Sequence, residues 1–355
     1  MKLKIYTSGF LAIILLLCAC KKKPDDNCEN SPDWIIPSCE VFDGGPGKDG
    51  IPSVDEPNFS LVADVDYLSN NDLVIGVYMD GQVKAYPHPI LNWHEIVNDV
   101  VGNVPMAITY CPLTGTAIGW DRTIEGEVTT FGVSGLLYNT NLIPYDRKTD
   151  SNWSQIFLKG VNGELASRRI QTYPVIETTW DTWKKQFPNS EVMNTSTGFG
   201  RDYDLYPYGD YRSNDNALIF PISNDDSRLG RKDRGLGVLI NNQAKFYPVD
   251  RFVNGTFEVV SDYFQETQLV IMGSQEMNFV VVYESLLPDG TELQFAAVES
   301  EDNSLVLMED QEGNQWNMLG VAISGPRTGE RLNAPESFVG FWFAWAAFYP
   351  NPEIF

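Results

Sequence analysis

One cysteine and two histidines are the residues of this chain best suited to do chemistry. Cys111 stands in TYCPLTGTA, and the only two histidines of the chain, His88 and His94, both fall within 24 residues before it. A tight Pro112-Leu113-Thr114-Gly115 turn between two strand-like runs would put the sulfur at a bend, beside free backbone N–H groups. Such donors and a nearby imidazole lower a thiol's pKa, and the thiolate is the reactive form. His94, in NWHE, is the expected base, with Glu95 adjoining it and Asn92 or Asn98 to orient it. His88 lies between Pro87 and Pro89, which predicts a rigid, exposed turn. Cys111 as nucleophile with His94 and Glu95 would make a single-cysteine thiol oxidoreductase or related enzyme. The same sulfur and imidazoles (Cys111, His94, His88) suit copper or zinc as an alternative, although the paired spacing of structural zinc is missing. No cofactor is fixed by these residues, and copper is the metal they would favour. A third reading makes Cys111 a small core residue in a non-catalytic surface binding protein.

An internal comparison sharpens the question. Residues 76–87 read GVYMDGQVKAYP and residues 237–248 read GVLINNQAKFYP, with six of twelve positions identical. The match continues at a nearly constant offset: Ala107-Ile108 falls on Val270-Ile271, Phe131 on Phe295 and Trp153 on Trp316. At that offset Cys111 meets Ser274, His88 meets Val249 and His94 falls near Gly255. The second copy keeps the framework and lacks the thiol and both imidazoles.

The elements that must position these residues are mostly strands. Short runs rich in Val, Ile, Tyr, Phe and Thr alternate with Asp80-Gly81, Asn162-Gly163, Asn241-Asn242 and Asp289-Gly290, which are hairpin turn signals. Helices are expected over 89–98, with Ile90, Trp93 and Val97 on one face, and over 179–187, capped by Thr178 or Thr179. A third, apolar on all sides, is expected over 337–348, begun by Ser337 after Pro335 and stopped before Pro350. The fold class is mainly β (β-rich α+β): two related antiparallel β lobes from an internal duplication, few short helices and an apolar C-terminal helix. The expected organisation is a signal peptide at 1–19, a tether and irregular segment at 20–54 and a first lobe at 55–170. A connector at 171–214, a second, degenerate lobe at 215–335 and a C-terminal helix and tail at 336–355 follow. Thr109, Tyr110, Thr114, Thr116, Arg122, Ser134, Asn139, Arg147 and Trp153 are the residues expected to line a pocket near Cys111. No Ser-His-Asp order, P-loop or dinucleotide glycine pattern is present, and GLGVLI at 235–240 opens a strand rather than a helix.

The N-terminus predicts export. Lys2 and Lys4 precede an apolar run, followed by Leu17-Cys18-Ala19-Cys20. That is signal-peptide grammar, and Leu-x-Ala-Cys resembles the bacterial lipobox, which makes Cys20 the expected site of acylation. Residues 5–19 are too few to cross a bilayer, which takes roughly 20 apolar residues. Two or three acyl chains hold firmly where one binds only marginally. Lys21-Lys22-Lys23-Pro24-Asp25-Asp26 resembles the surface-export signal of Bacteroidetes lipoproteins, or else is a solvated tether. The expected location is the cell envelope, at the outer membrane or cell surface, with the membrane as partner through the lipid. The formal charge is −23; removing residues 1–19 takes two lysines and no acid, leaving −25. So acidic a chain repels nucleic acid and anionic headgroups. A small molecule or a protein thiol remains as partner. Cys28 and Cys39, 11 apart in a Pro-rich stretch of an exported protein, are a candidate disulfide.

Taken together, GKDGIPS (47–53), GVYMDGQVKAYPHPILNWHEIVND (76–99), PMAITYCPLTGTAIGWDR (105–122), FGVSGLLYNTNLIPYDRKTDSNWSQ (131–155), DLYPYGDY (204–211) and FWFAWAAFYP (341–350) resemble the domain-of-unknown-function family 3179. The resemblance confers no activity. In that family the cysteine motif is similar to CPLCGT in many members, and some members are selenoproteins, which implies redox or nucleophilic chemistry within the family. Cys111 matches the first cysteine of that motif, and Thr114 stands where the second would be. A dithiol cycle within the motif is therefore closed to this chain, and redox turnover would need an outside thiol.

Overall fold

The computed structural model describes residues 28–252, 257–298 and 307–355; the expected signal peptide and Cys20 lie outside them. The protein is mainly β. We label the elements that matter here β1 (Leu73–Met79), β2 (Gln82–Pro87), α1 (His88–His94), β3 (Ile96–Val101), β4 (Val104–Cys111), β5 (Thr116–Asp121), β6 (Phe131–Tyr138) and β7 (Asn141–Asp146). After them come β8 (Ile176–Thr179), α2 (Trp180–Gln186), β9 (Arg234–Ile240), β10 (Gln243–Pro248), β11 (Glu258–Phe264), β12 (Thr267–Ser274), β13 (Phe279–Glu284), β14 (Glu336–Phe341) and α3 (Trp342–Phe348).

Strands β1–β5 and β9–β13 follow one another in the same order with near-equal lengths, but each half is split between sheets. The largest sheet runs Val54–Asp55, β3, β4, β5, β14, β9, β10 and Glu353–Ile354, with Val339 of β14 opposite Ala117 of β5. Hairpin β9–β10 thus joins the first half's β3–β5. Hairpin β1–β2 sits with β8 in another sheet, whose end bonds to the turn before β13 through Thr178 Oγ1 to Met277 O at 2.7 Å. Each face of hairpin β1–β2 is buried, one against β3 and β4 through Ile75, Val77 and Tyr86 and the other toward β12 and β13 through Val74 and Ala85.

The repeated GV…K-x-Y-P string is explained by packing. Trp183 of α2 lies on Gly76 and Trp345 of α3 on the equivalent Gly237; a Cβ there would come within 2.0 and 2.1 Å of the indole rings. Lys84 and Tyr86 donate to Asp99 Oδ2 at 2.8 and 2.6 Å, and Lys245 and Tyr247 meet Asp262 Oδ2 at 2.5 and 2.8 Å. Trp153 and Trp316 each donate their indole N–H to an aspartate, Asp146 at 3.1 Å and Asp310 at 2.8 Å. Each is a buried polar group given its partner, as burial demands.

Two helix expectations need correction. The helix from 89 onward stops at His94: Glu95 takes φ +59° and β-branched Ile96, Val97, Val100 and Val101 run on as β3. The stretch 337–348 is strand β14 to Phe341 and helix only from Trp342. β14 lies between β5 and β9 and is apolar on both faces, a pattern that cannot be told from a buried helix by periodicity alone. α2 begins at Trp180, and Thr179 caps it, accepting from Thr182 N. Cys28 and Cys39 form a disulfide.

Candidate functional site

Cys111 ends β4, where Pro112–Gly115 turns the chain into β5. Opposite it, hairpin β6–β7 turns through Asn139-Thr140, both at positive φ (+49° and +67°), the pairing a two-residue type I′ turn needs. Thr140 is β-branched and rarely adopts this conformation, so the turn carries strain of order 1–3 kcal/mol. Its surroundings hold it there. Asn139 Oδ1 accepts from Ser223 N at 2.7 Å, and Thr140 Oγ1 donates to Phe220 O at 2.9 Å. The turn thereby reaches the sulfur: the thiol donates to Thr140 O at 3.8 Å, and Leu142 N–H and Thr114 bond back to it. Behind Thr114 runs a buried amide–hydroxyl chain. Asn141 Nδ2 bridges Thr114 Oγ1 (2.9 Å) and Gln155 Oε1 (2.7 Å), and Gln155 Nε2 reaches Thr109 Oγ1 at 3.0 Å.

The thiol is 1% exposed. Burial, and next the nearby Glu95 carboxylate, push it up to about 11, and the Thr114 and Leu142 bonds only partly offset them. The expected lowering by free N–H groups is present but outweighed by desolvation. At rest Cys111 is a thiol.

His94 is not the neighbour it was expected to be. Its Nδ1 meets Pro52 O at 2.8 Å and its Nε2 meets the Tyr203 hydroxyl at 2.7 Å, so neither nitrogen is left for the sulfur. His88 is buried rather than exposed. Its Nε2 sits 2.7 Å from Glu177 Oε2, out of line for a good hydrogen bond, with Arg234 3.3 Å from the same oxygen and the Tyr110 ring 4.4 Å away. The Cys111/His94/His88 metal set is thus not assembled; among the described residues no group of three or more His, Cys, Asp or Glu converges as ligands. Asn98 is spent on Asp55 and the Phe131 backbone and does not orient an imidazole.

The carboxylate whose charge reaches the sulfur is that of Glu95. The left-handed cap of α1 turns it inward, to 6% exposure, and burial lifts its carboxyl to about 7. Tyr208 donates to Glu95 Oε1 at 3.4 Å. Glu95 and Tyr208 line a cleft of about 130 Å³ whose other walls include Leu113, Val133, Leu142 and Phe220. Tyr110, Tyr206, Tyr208, Tyr211 and Lys232 all lie close enough to be perturbed by the sulfur. Burial brings the Lys232 ammonium down to about 7.

Of the expected pocket residues, Thr114 and Asn139 belong to this centre, and Thr109 and Thr116 to its supporting network. Tyr110 packs on His88. Arg122 is used by the Thr129 and Asp99 carbonyls, Ser134 by Ile143 O, Trp153 by Asp146, and Arg147 by Asp49 and Asp55 at the surface. Each makes its hydrogen bonds away from the sulfur. The sequence reading missed Lys232 and the tyrosines. The signal was there, in the aromatic string DLYPYGDY and in RKDRG, where a lysine precedes a buried strand.

No described helix is long and apolar enough to cross a membrane. No curated protein and no solved structure matches the chain. A family model described as "Protein of unknown function (DUF3179)" matches residues 48–352, a span that holds every group gathered around Cys111, and the chain belongs to that family.

Proposed function

We propose that this is a lipid-anchored protein of the cell envelope, held through acylated Cys20, in which Cys111 is the reacting group of a thiol-dependent enzyme. The observation that carries the reading is the convergence on one sulfur of the inward-turned Glu95, two backbone N–H donors and a strained hairpin turn. Titratable groups perturbed by desolvation and a specific charge partner are candidates for a functional site.

Glu95, rather than His94, takes the thiol proton. Moving it from a thiol near 11 to a carboxylate near 7 is uphill by roughly 5 kcal/mol at most, well within what a turnover barrier absorbs. The Leu142 and Thr114 N–H groups then face the developing thiolate. If the sulfur is oxidised, an outside thiol must reduce it, because Thr114 occupies the place of a resolving cysteine.

The test is the rate of Cys111 alkylation by iodoacetamide against pH, followed by peptide mapping in wild type and Glu95→Gln. Removing the carboxylate should shift the profile to lower pH. A Cys111 that stays unmodified from pH 6 to 10 in the folded protein would end the reading. The cleft beside Glu95 favours a second one, a binding protein for small apolar ligands, under which Cys111→Ser alters stability and leaves ligand affinity intact.

A further inference from the structure

Beside Cys111 three hydrogen-bond donors are buried without an acceptor. Lys232 is 8% exposed, and its Nζ has no hydrogen-bond partner among the described residues. It lies 3.2 Å above the Tyr211 ring, with Phe343 at 4.9 Å and Phe341 at 5.3 Å. The hydroxyls of Tyr206 and Tyr211 are buried and likewise unpartnered. The backbone around them is fixed. Lys232 N donates to Asp215 Oδ1 at 2.9 Å, Phe343 N to Arg231 O at 3.1 Å and Trp342 N to Asp233 O at 2.9 Å. Asp215 thus spends its Oδ1 on the backbone, and although its charge reaches the ammonium it gives Nζ no hydrogen bond.

An unpaired buried ammonium is expensive, and an orphaned buried donor asks for an explanation. Three such donors in one packed cluster, two of them stacked as Lys232 over the Tyr211 ring, are the complement of an anion with several oxygens. Tyr206 also fronts a polar cleft of about 290 Å³ lined by Asn92 and Arg212, with Asp72 and Asp204 on its wall. The Arg212 guanidinium lies 4.6 Å from the Tyr206 ring centre, so a cation stands at the approach.

We propose that Lys232 Nζ and the hydroxyls of Tyr206 and Tyr211 form an anion subsite, and that the substrate of Cys111 carries a carboxylate bound there. The inference rests on Cys111 as the reacting group, and it says which molecules the thiol meets. Burial holds both phenols protonated at neutral pH, so they remain donors. A bound carboxylate would supply the counter-charge that Lys232 lacks.

Iodoacetate and iodoacetamide differ in the carboxylate and share the same reactive carbon, so their relative rates at Cys111 test the subsite. Alkylation of the full protein at pH 6, where Lys232 is still protonated, is followed by peptide mapping. The iodoacetate-to-iodoacetamide ratio should exceed that of glutathione at least tenfold. Sodium acetate should slow the iodoacetate reaction, and Lys232→Met and Tyr211→Phe should bring the ratio down to the glutathione value. Lys232→Arg, which keeps the charge, should retain most of the preference. A ratio equal in wild type and Lys232→Met overturns the subsite, and a lysine serving only as counter-ion to the thiolate would slow both reagents alike and overturn it too. If neither reagent modifies Cys111, the thiol reading has failed and line broadening of ¹³C-acetate decides the subsite alone. Broadening in wild type but not in Lys232→Met upholds it, and none in either overturns it.

Discussion

Replacing Lys232 by methionine should make the protein more stable, by an amount that depends on pH in a defined way. Burial lowers this ammonium from an ordinary 10.5 to about 7, and each tenfold change in proton affinity is worth 1.36 kcal/mol. Holding the charge inside therefore costs roughly 5 kcal/mol. Below pH 7 the lysine is protonated in both the folded and the unfolded chain, and the cost is complete. Between pH 7 and 10.5 the folded protein has released its proton while the unfolded chain still holds one, so stability rises with pH. Above 10.5 the cost is gone. Methionine keeps most of the volume, has no charge and forfeits the contact with the Tyr211 ring, worth about 1–2 kcal/mol. Lys232→Met should thus gain about 3–4 kcal/mol at pH 6, shrinking to nothing or a small loss by pH 10.5. Urea unfolding in acetate-free buffer with mild detergent, at pH 6, 8 and 10, measures the gain as a change in midpoint at constant slope. A variant less stable than wild type at pH 6, or a difference that does not change with pH, would refute the account of Lys232 as an uncompensated buried cation.

Glu95→Gln should behave in the opposite sense. A carboxyl lifted from 4.5 to about 7 contributes stability below pH 4.5 that is lost as pH rises through 7, so the amide should gain roughly 3 kcal/mol at pH 8 and almost nothing at pH 4 in the same unfolding assay. His94→Ala should cost about 2–3 kcal/mol for its two lost hydrogen bonds and the space it leaves. It should leave the pH profile of Cys111 alkylation within about twofold of wild type; a shift of a full pH unit would restore His94 as the base. Gly76→Ala and Gly237→Ala should each destabilise by about 3 kcal/mol or more, because the new methyl meets a fully buried indole. Thermal midpoints that stay put would deny that the tryptophans fix these glycines. Tyr86→Phe should cost about 1 kcal/mol through the lost hydrogen bond to Asp99, whose Oδ2 keeps Lys84, and Tyr247→Phe a similar amount, both read from urea midpoints.

Local pattern reached a long way into this fold. Turn dipeptides and β-branched runs announce β1–β5 and β9–β13, and the capping threonine of α2 is visible because a cap is made within one turn of chain. It failed where both faces are buried. β14 looks helical, since a strand apolar on both sides has no alternation to read. The segment 199–211 looks like a connector, since its role is to cover α1: Tyr203 meets His94, and Trp93 donates its indole N–H to Leu205 O at 3.0 Å.

At the site, the sequence by itself determined that Cys111 is the one thiol to ask about, because residue type and the serine at the matching position, Ser274, require no coordinates. It also determined, through Thr114, that no second cysteine stands three residues on. Only the tertiary structure decided the thiol's company. Adjacency along the chain favoured His94, but a left-handed residue at the end of α1 sends Glu95 inward while Pro52 and Tyr203 take the ring. Tyr206, Tyr211 and Lys232 arrive from about 95 to 121 positions downstream, a distance no local pattern spans. Charge, finally, follows burial: the same backbone donors that would activate an exposed thiol are outweighed once the sulfur is desolvated, and only the packed fold sets that balance.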